Sequence, residues 1–402
     1  MKICLLTRSL PVHRTGGLET HAWDLARGLA RRGCRVFLLT TAHPDGRRED
    51  DIEGVHIHYV PKTRPARYTP LFFPRLNREI LRLHEREGFD LVHSQGFAAL
   101  TFRPPVRLPL IVTLHGTLFS ETSLHRDQFR EFSFFKKVGK VWRHRYRLMM
   151  HPFYMRLLRR ASLILVDSRF SYNETRRDLP EVEGKLRLVP LGIDLSRLNV
   201  PDRASARSRL GLPKEDVILF TLSRLEEMKG VDVALRGVAA LESRNFIYLI
   251  GGEGRWQGRL EDMRAQLGIS QVKFLGRIPS ERLSDYFAAA DLFIQPERGH
   301  PAFGIVTIES LAHGTPVLAS DAGATPEIVT PEVGWLFKRG DAQQLAERLC
   351  NILPTIGEWR TRAALLRRYV EEHYSLERFL DDTLEVYHQV SEAEKQGAEI
   401  LK

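Results

Sequence analysis

Arg224 and Lys229 stand five residues apart in SRLEEMKG, directly after the apolar run VILFTL. A cation at the C-terminal end of a strand and another opening the next helix can converge on a diphosphate, in the crevice where α/β sheets bind ligands. Taken alone, two such residues are better read as solvated surface charges. Gly251-Gly252-Glu253-Gly254 strengthens the ligand reading, because it follows the next apolar run and lets backbone approach a ligand on the same sheet edge. Farther along, Phe303-Gly304-Ile305 opens a helical pattern whose first N–H groups can hold a phosphate or sugar hydroxyls. Glu309 lies roughly one and a half turns into that helix, near enough to accept two hydrogen bonds from a ribose diol. Val306, Ile308, Leu311 and Ala312 make its surroundings apolar, and a carboxylate so placed needs a partner.

Gly16-Gly17 is a second candidate, a glycine pair entering the amphipathic stretch THAWDLARGLARRG. It permits close approach of backbone to a phosphate or sugar, and it fits an ordinary loop before a helix equally well. The chain has neither G-x-G-x-x-G nor G-x-x-x-x-G-K-[ST], which argues against a dinucleotide oxidoreductase and a Walker-type NTPase. Glu49-Asp50-Asp51 reads as a solvated acidic loop, His93 as a core or rim histidine, and no His, Cys or Asp cluster has metal spacing.

Short β-type runs alternating with helix-length segments must position these residues, and that alternation predicts parallel sheets in α/β domains. In the first half the expected strands are 2–7, 35–40, 55–60, 91–94, 110–115, 163–168 and 186–190. In the second half they are 217–222, 246–251, 272–276, 292–295 and 316–320. The stretch from Gly192 to Ser205 breaks periodicity with Gly, Pro and Asp, so the domain boundary is expected near Val200. This divides the chain into 1–199, 200–373 and a tail, 374–402, in which Tyr374 to Val390 reads as one helix able to pack back across the hinge.

A chain of 402 residues exceeds one hydrophobic core, so two domains are expected on length as well. No window approaches the roughly 20 apolar residues of a membrane span. MKICLLTRSLP is too short in apolar residues for a secretory core and reads as a buried first strand, so a cytoplasmic location is expected. Cys4, Cys34 and Cys350 are too few and too scattered for a disulfide framework and are expected as small buried hydrophobes. The net charge of +10 is concentrated: residues 122–160 hold eleven Lys and Arg against Asp127 and Glu131, with eight aromatic residues interleaved. Such a surface suits an anionic membrane face, and a helix hairpin with a solvated basic side is the plain alternative.

The ordered motifs together resemble glycosyltransferase family 4, retaining enzymes of the two-domain GT-B kind. The resemblance spans the glycine pair, TLHGT at 113–117, DSRFS, VPLGID at 189–194, SRLEEMKG, GGEG, VKFLGRI, ADLFIQP and FGIVTIESLAHGTPVLAS. It implies two Rossmann-like doubly wound domains facing a central cleft, with the acceptor on the first and a nucleotide-sugar donor on the second. It implies that Arg224 and Lys229 bind the donor diphosphate, Glu309 the ribose, and Phe303 to Ile305 the sugar hydroxyls. His115 would lie at the reacting face, and Gly16, Gly17, Gly252 and Arg277 would line the donor. One position departs from the family pattern. Counting back eight places from Glu309 along the family's E-x7-E gives Pro301, which has no side-chain hydrogen-bonding group. Glu297 or His300 is the expected substitute for the missing carboxylate.

The function expected is transfer of a sugar from a UDP- or GDP-sugar to an acceptor hydroxyl, of a lipid-linked or cell-envelope saccharide, with anomeric configuration retained and no metal needed. The expected partners are the donor, a saccharide or glycolipid acceptor and an anionic membrane surface through residues 122–160, which would place the protein peripherally on the inner face. No nucleic acid is expected; a nucleic-acid-binding protein would account for the pI near 9.6, but it predicts no protection by nucleotide sugars and a steep salt dependence of RNA or DNA binding. A non-catalytic sugar-nucleotide sensor or partner subunit would account for Pro301, and a nucleotide-sugar epimerase on the same scaffold is the closest competing enzyme.

Overall fold

The computed structural model describes residues 1–14, 16–105, 108–116, 151–241 and 245–400, with side chains of the last helix described to residue 393. The basic aromatic stretch therefore lies outside the described residues from 122 to 150, as does Thr117 of TLHGT. The chain divides into two compact units, residues 1–192 with 376–402, and residues 193–375. The break after Gly192 comes seven residues ahead of the boundary expected near Val200.

The first unit is built on an eight-stranded sheet, ordered β3-β4-β2-β1-β5-β6-β7-β8. Its strands are β1 (Lys2–Leu6), β2 (Arg35–Thr40), β3 (Glu49–Ile52), β4 (Val55–Tyr59), β5 (Leu91–Gln95), β6 (Leu110–Leu114), β7 (Leu163–Val166) and β8 (Leu186–Leu188). All pairings are parallel except that of β3 with β4. β1 and β6 are mostly apolar runs whose side chains are almost all buried, as parallel strands covered on both faces require, and β5, LVHSQ, is buried along its whole length although three of its residues are polar. β3 corrects an expectation. EDDI was read as a polar loop, yet Asp51 pairs with His56 and Glu49 with His58 along an exposed antiparallel edge, where charge discourages further pairing.

The second unit carries a six-stranded parallel sheet, ordered β11-β10-β9-β12-β13-β14. Its strands are β9 (Val217–Leu222), β10 (Phe246–Gly251), β11 (Val272–Gly276), β12 (Leu292–Gln295), β13 (Val317–Ser320) and β14 (Gly334–Phe337). A buried polar hub ties its outer segments to the sheet. The fully buried Asp291, just ahead of β12, accepts from Arg207 at 2.7 Å, Arg360 at 2.8 Å and the Ile218 amide at 2.8 Å, with Arg203 also 2.7 Å away.

In both sheets the strand order reverses once, between β1 and β5 and between β9 and β12. Loops leaving the C-terminal ends of strands there form the crevice in which open α/β sheets bind ligands.

Two further expectations change. The tail is one helix, as expected, but it runs Leu376–Ile400 and not from Tyr374 to Val390: Tyr374 ends the preceding helix, Ala363–Tyr374, in the second unit, Ser375 is extended, and Leu376–Ile400 belongs to the first unit. This last helix packs close enough to the helix Gly17–Arg31 that a Cβ on Gly28 would lie 2.5 Å from a Leu380 methyl. Of the cysteines only Cys4 is buried; Cys34 is partly exposed and Cys350 exposed. Among the described residues, no helix is long and apolar enough to cross a membrane.

Candidate active site

In the second unit the candidate residues come from loops around the β9/β12 reversal. Arg224 follows β9 and is exposed, with no acidic partner among the described residues. The chain then makes one 3-10 turn, Glu227–Lys229, and enters the helix Val231–Ala239 through Gly230. Gly230 has φ +65°, and a Cβ there would sit 1.8 Å from the Pro296 carbonyl oxygen, so only glycine lets the two loops meet. The Arg298 and Gly299 amides donate to the Met228 carbonyl at 2.8 and 3.0 Å, stapling the loop after β12 to this turn. The result is a 2.6 Å ion pair from Lys229 Nζ to Glu297 Oε2. Glu297 is only 4% exposed, whereas the Lys229 side chain remains 29% exposed. An ammonium has three donors, so Lys229 can keep Glu297 and still meet an anion.

Gly252, with φ +117°, follows β10; a Cβ would fall 1.9 Å from the Ser223 carbonyl oxygen, so this loop lies directly on the one bearing Arg224. The Ser223 hydroxyl beside it is buried without a partner. Gly252 N–H donates to the Gly276 carbonyl at 2.7 Å, bringing in the end of β11, after which Arg277 is exposed and already engaged. Gly304 caps the helix Ile305–Ala312 without any side-chain cap, which leaves amides at its first turn for a ligand. Phe303 packs edge-on against Tyr374, 5.9 Å between centroids. Glu309 is half-buried and partnered, and its carbonyl accepts from His313 at 2.7 Å. Burial pushes the His313 imidazole below its usual range, leaving it a neutral structural link to Ser284.

The position of the missing carboxylate is held by backbone. The Pro301 carbonyl accepts from the Ala324 amide at 2.9 Å, and Gly323 packs against it. His300 turns to the guanidinium of Arg339. Glu297, for its part, is paired with Lys229.

In the first unit Gly16 is extended, and a Cβ on it would lie 2.5 Å from Glu19 Oε2. The buried Glu19 carboxylate accepts from Ser9 Oγ and Arg14 Nε, both at 2.6 Å, with Arg8 4.0 Å away. The first turn after Gly16-Gly17 thus supplies its own anion. His115, after β6, is caged: Nε2 lies 2.8 Å from Gln95 Oε1, Nδ1 lies 3.7 Å from Asp167 Oδ2, and the His21 ring stands edge-on at 5.4 Å. Both nitrogens of His21 are buried without partners. Burial, with His115 and His93 nearby, holds His21 neutral, far below the usual histidine range. His93, read as a core histidine, is fully buried and pushed down to about 3 by burial.

Glu19, His21, Gln95, Asp167 and Ser223 were not singled out from sequence. Glu19 and His21 follow the glycine pair closely, and Asp167 follows β7 as His115 follows β6, so strand-end position was the available signal.

Two Rossmann-like units, each with its polar set at the strand-order reversal, define the GT-B architecture. Residues 15–197 match the family model described as Glycosyltransferase Family 4, and residues 202–355 the model described as Glycosyl transferases group 1. The chain belongs to glycosyltransferase family 4 and is an enzyme of the transferase class. A D-inositol 3-phosphate glycosyltransferase from Rhodococcus erythropolis is 33% identical over 404 residues, covering 92% of this chain and 86% of that protein. Among solved structures, sucrose-phosphate synthase from Thermosynechococcus elongatus superposes with a TM-score of 0.80 at 23% identity, over 98% of this chain and 99% of that one. The Anabaena HepE protein in complex with UDP-glucose superposes with a TM-score of 0.73 at 20% identity, over 97% and 100% of the two chains.

Proposed function

We propose that the protein moves a sugar from a UDP- or GDP-sugar to an acceptor hydroxyl with retention of configuration, the acceptor being a lipid-linked or phosphorylated saccharide of the cell envelope. The observation that carries this reading is the convergence of Arg224, Lys229, Gly252 and the uncapped helix at Gly304 on one strand-order reversal. Arg224 and Lys229 meet the diphosphate, the amides at 304–305 its terminal oxygens, and Glu309 the ribose. As the bond to the anomeric carbon breaks, negative charge grows on the leaving phosphate, and fixed cations and helix amides stabilise it without a metal. His115 stands in the first unit as the group for the reacting face. HepE binds UDP-glucose, and the Rhodococcus relative is named for a phosphorylated acceptor; both lend support to the donor and acceptor classes.

A thermal-shift screen with UDP, GDP and their common sugars tests the donor half. One base series stabilises the wild type, and Arg224→Ala and Glu309→Ala abolish the shift; a wild type stabilised by none of them removes the assignment. Residues 122–160 are proposed to meet an anionic membrane. Flotation with phosphatidylglycerol vesicles should carry the protein upward at moderate salt and more strongly at low salt, and absence of binding at moderate salt would return the stretch to a solvated basic surface.

A further inference from the structure

Polar groups run in one buried line from the C-terminal helix to His115. Tyr387, fully buried on the helix Leu376–Ile400, places Oη 2.6 Å from Nδ1 of His93 on β5. His93 Nε2 lies 2.7 Å from Thr113 Oγ1 on β6 and 3.3 Å from Nε2 of Gln95. Gln95 Oε1 lies 2.8 Å from His115 Nε2, and beyond the ring Asp167 Oδ2 stands 3.7 Å from Nδ1. Thr113, His93, Gln95 and Asp167 are at most 8% exposed, so water does not substitute for these contacts.

A primary amide donates from one end and accepts at the other, and this makes the chain directional. With its NH2 on His93 Nε2, Gln95 offers only its carbonyl to His115, so His115 must carry a proton on Nε2. His93 Nε2 is then an acceptor, shared by the Thr113 hydroxyl, and the one proton of the neutral His93 ring sits on Nδ1 and donates to Tyr387. Reversing the amide would reverse both tautomers together. The other neighbours leave this polarity alone: His21, from the helix Gly17–Arg31, presents a neutral ring edge to His115 and packs 4.9 Å from Phe379.

We propose that Tyr387, His93 and Gln95 are positioning residues that fix the Nε2–H tautomer and ring orientation of His115. Any further proton that His115 takes up is thereby confined to Nδ1, beside Asp167. The significance for catalysis rests on His115 serving the reacting face, but the relay itself can be measured without turnover.

Long-range 1H–15N imidazole spectra of the 15N-histidine-labelled full chain, with His115 assigned by the loss of its signals in His115→Gln, read the tautomer directly. Above the pH at which His115 is neutral, the wild type should show Nε2–H alone. Gln95→Leu should give a mixture of tautomers, Tyr387→Phe a smaller shift in the same direction, and Gln95→Glu, which still accepts from Nε2–H, should restore the wild-type signal. Should Gln95→Leu fail to fold, Tyr387→Phe carries the test. A wild-type proton on Nδ1, or a folded variant with the tautomer unchanged, overturns the relay. On any donor the wild type turns over, Gln95→Leu should lower kcat about tenfold to a hundredfold with KM nearly unchanged. A wild type that turns over no nucleotide sugar counts against the proposed reaction and leaves the spectra to judge the relay.

Discussion

Lys229 and Glu297 lie 68 positions apart in sequence and 2.6 Å apart in the fold. Lys229→Ala removes a cation from the nucleotide and also strands a buried carboxylate, so it should cost about 1–3 kcal/mol of stability along with nucleotide binding. Adding Glu297→Gln should recover most of the stability and none of the binding. Urea unfolding of single and double variants, read beside nucleotide titrations, separates these outcomes; recovery of binding would mean that Glu297 competes with the donor for Lys229. The places of Arg224 and Lys229 after β9, and of Glu309 inside the helix Ile305–Ala312, were legible from sequence because apolar runs mark the strands and the glycine marks the helix start. The Lys229–Glu297 pair, and the neighbours of His115 on β5, directly after β7 and on the helix Gly17–Arg31, depend on which strands become neighbours, and local spacing carries no record of that.

Elements were readable where hydrophobic burial dictates them. VILFTL, FIYLIG, VKFLG and LFIQ are apolar runs that became strands at the expected residues. The acidic edge strand escaped notice because an edge strand needs no apolar face, and the tail helix starts two residues later than expected because Ser375 interrupts an otherwise continuous helical pattern at the border of the two units. Tight loops are where one methyl has the largest effect. Gly230→Ala puts a carbon against the Pro296 carbonyl in a left-handed conformation, so a lower melting temperature and weaker nucleotide binding should appear together in calorimetry and titration. An unchanged melting temperature would show that the loops after β9 and β12 are not locked. Asp291→Ala leaves three arginines facing an emptied site, with the side chains of Arg207, Arg203 and Arg360 only 1%, 29% and 31% exposed, and should destabilise by about 3–5 kcal/mol in urea unfolding. A loss below about 1 kcal/mol would make the hub dispensable.

At the scale of the whole molecule, buried neutral imidazoles give the fold an acid limit. His21 and His93 both have lowered values in the folded chain, while the unfolded chain takes up these protons near the ordinary value of 6.5. The unfolded state therefore binds more protons below about pH 6.5, and stability falls as pH drops toward the folded values. Each fully buried imidazole should cost about 2 kcal/mol between pH 7 and pH 5, as the protonation linkage of such a shift requires. Chemical unfolding at the two pH values checks this, and a flat profile would mean that these rings reach water or a partner. The α/β class and the family were legible because many short motifs hold their order along the chain. Donor sugar and acceptor were not: Pro301 stands where the resemblance expects a glutamate, and no motif of the first unit specifies an acceptor.

The most direct test of the donor-site account is real-time 1H NMR of UDP- and GDP-sugars with the full-length protein, following the anomeric proton. Turnover of one donor series with the anomeric configuration retained, and its loss in Arg224→Ala, is the predicted result. An inverted product, or turnover that survives Arg224→Ala undiminished, would contradict it.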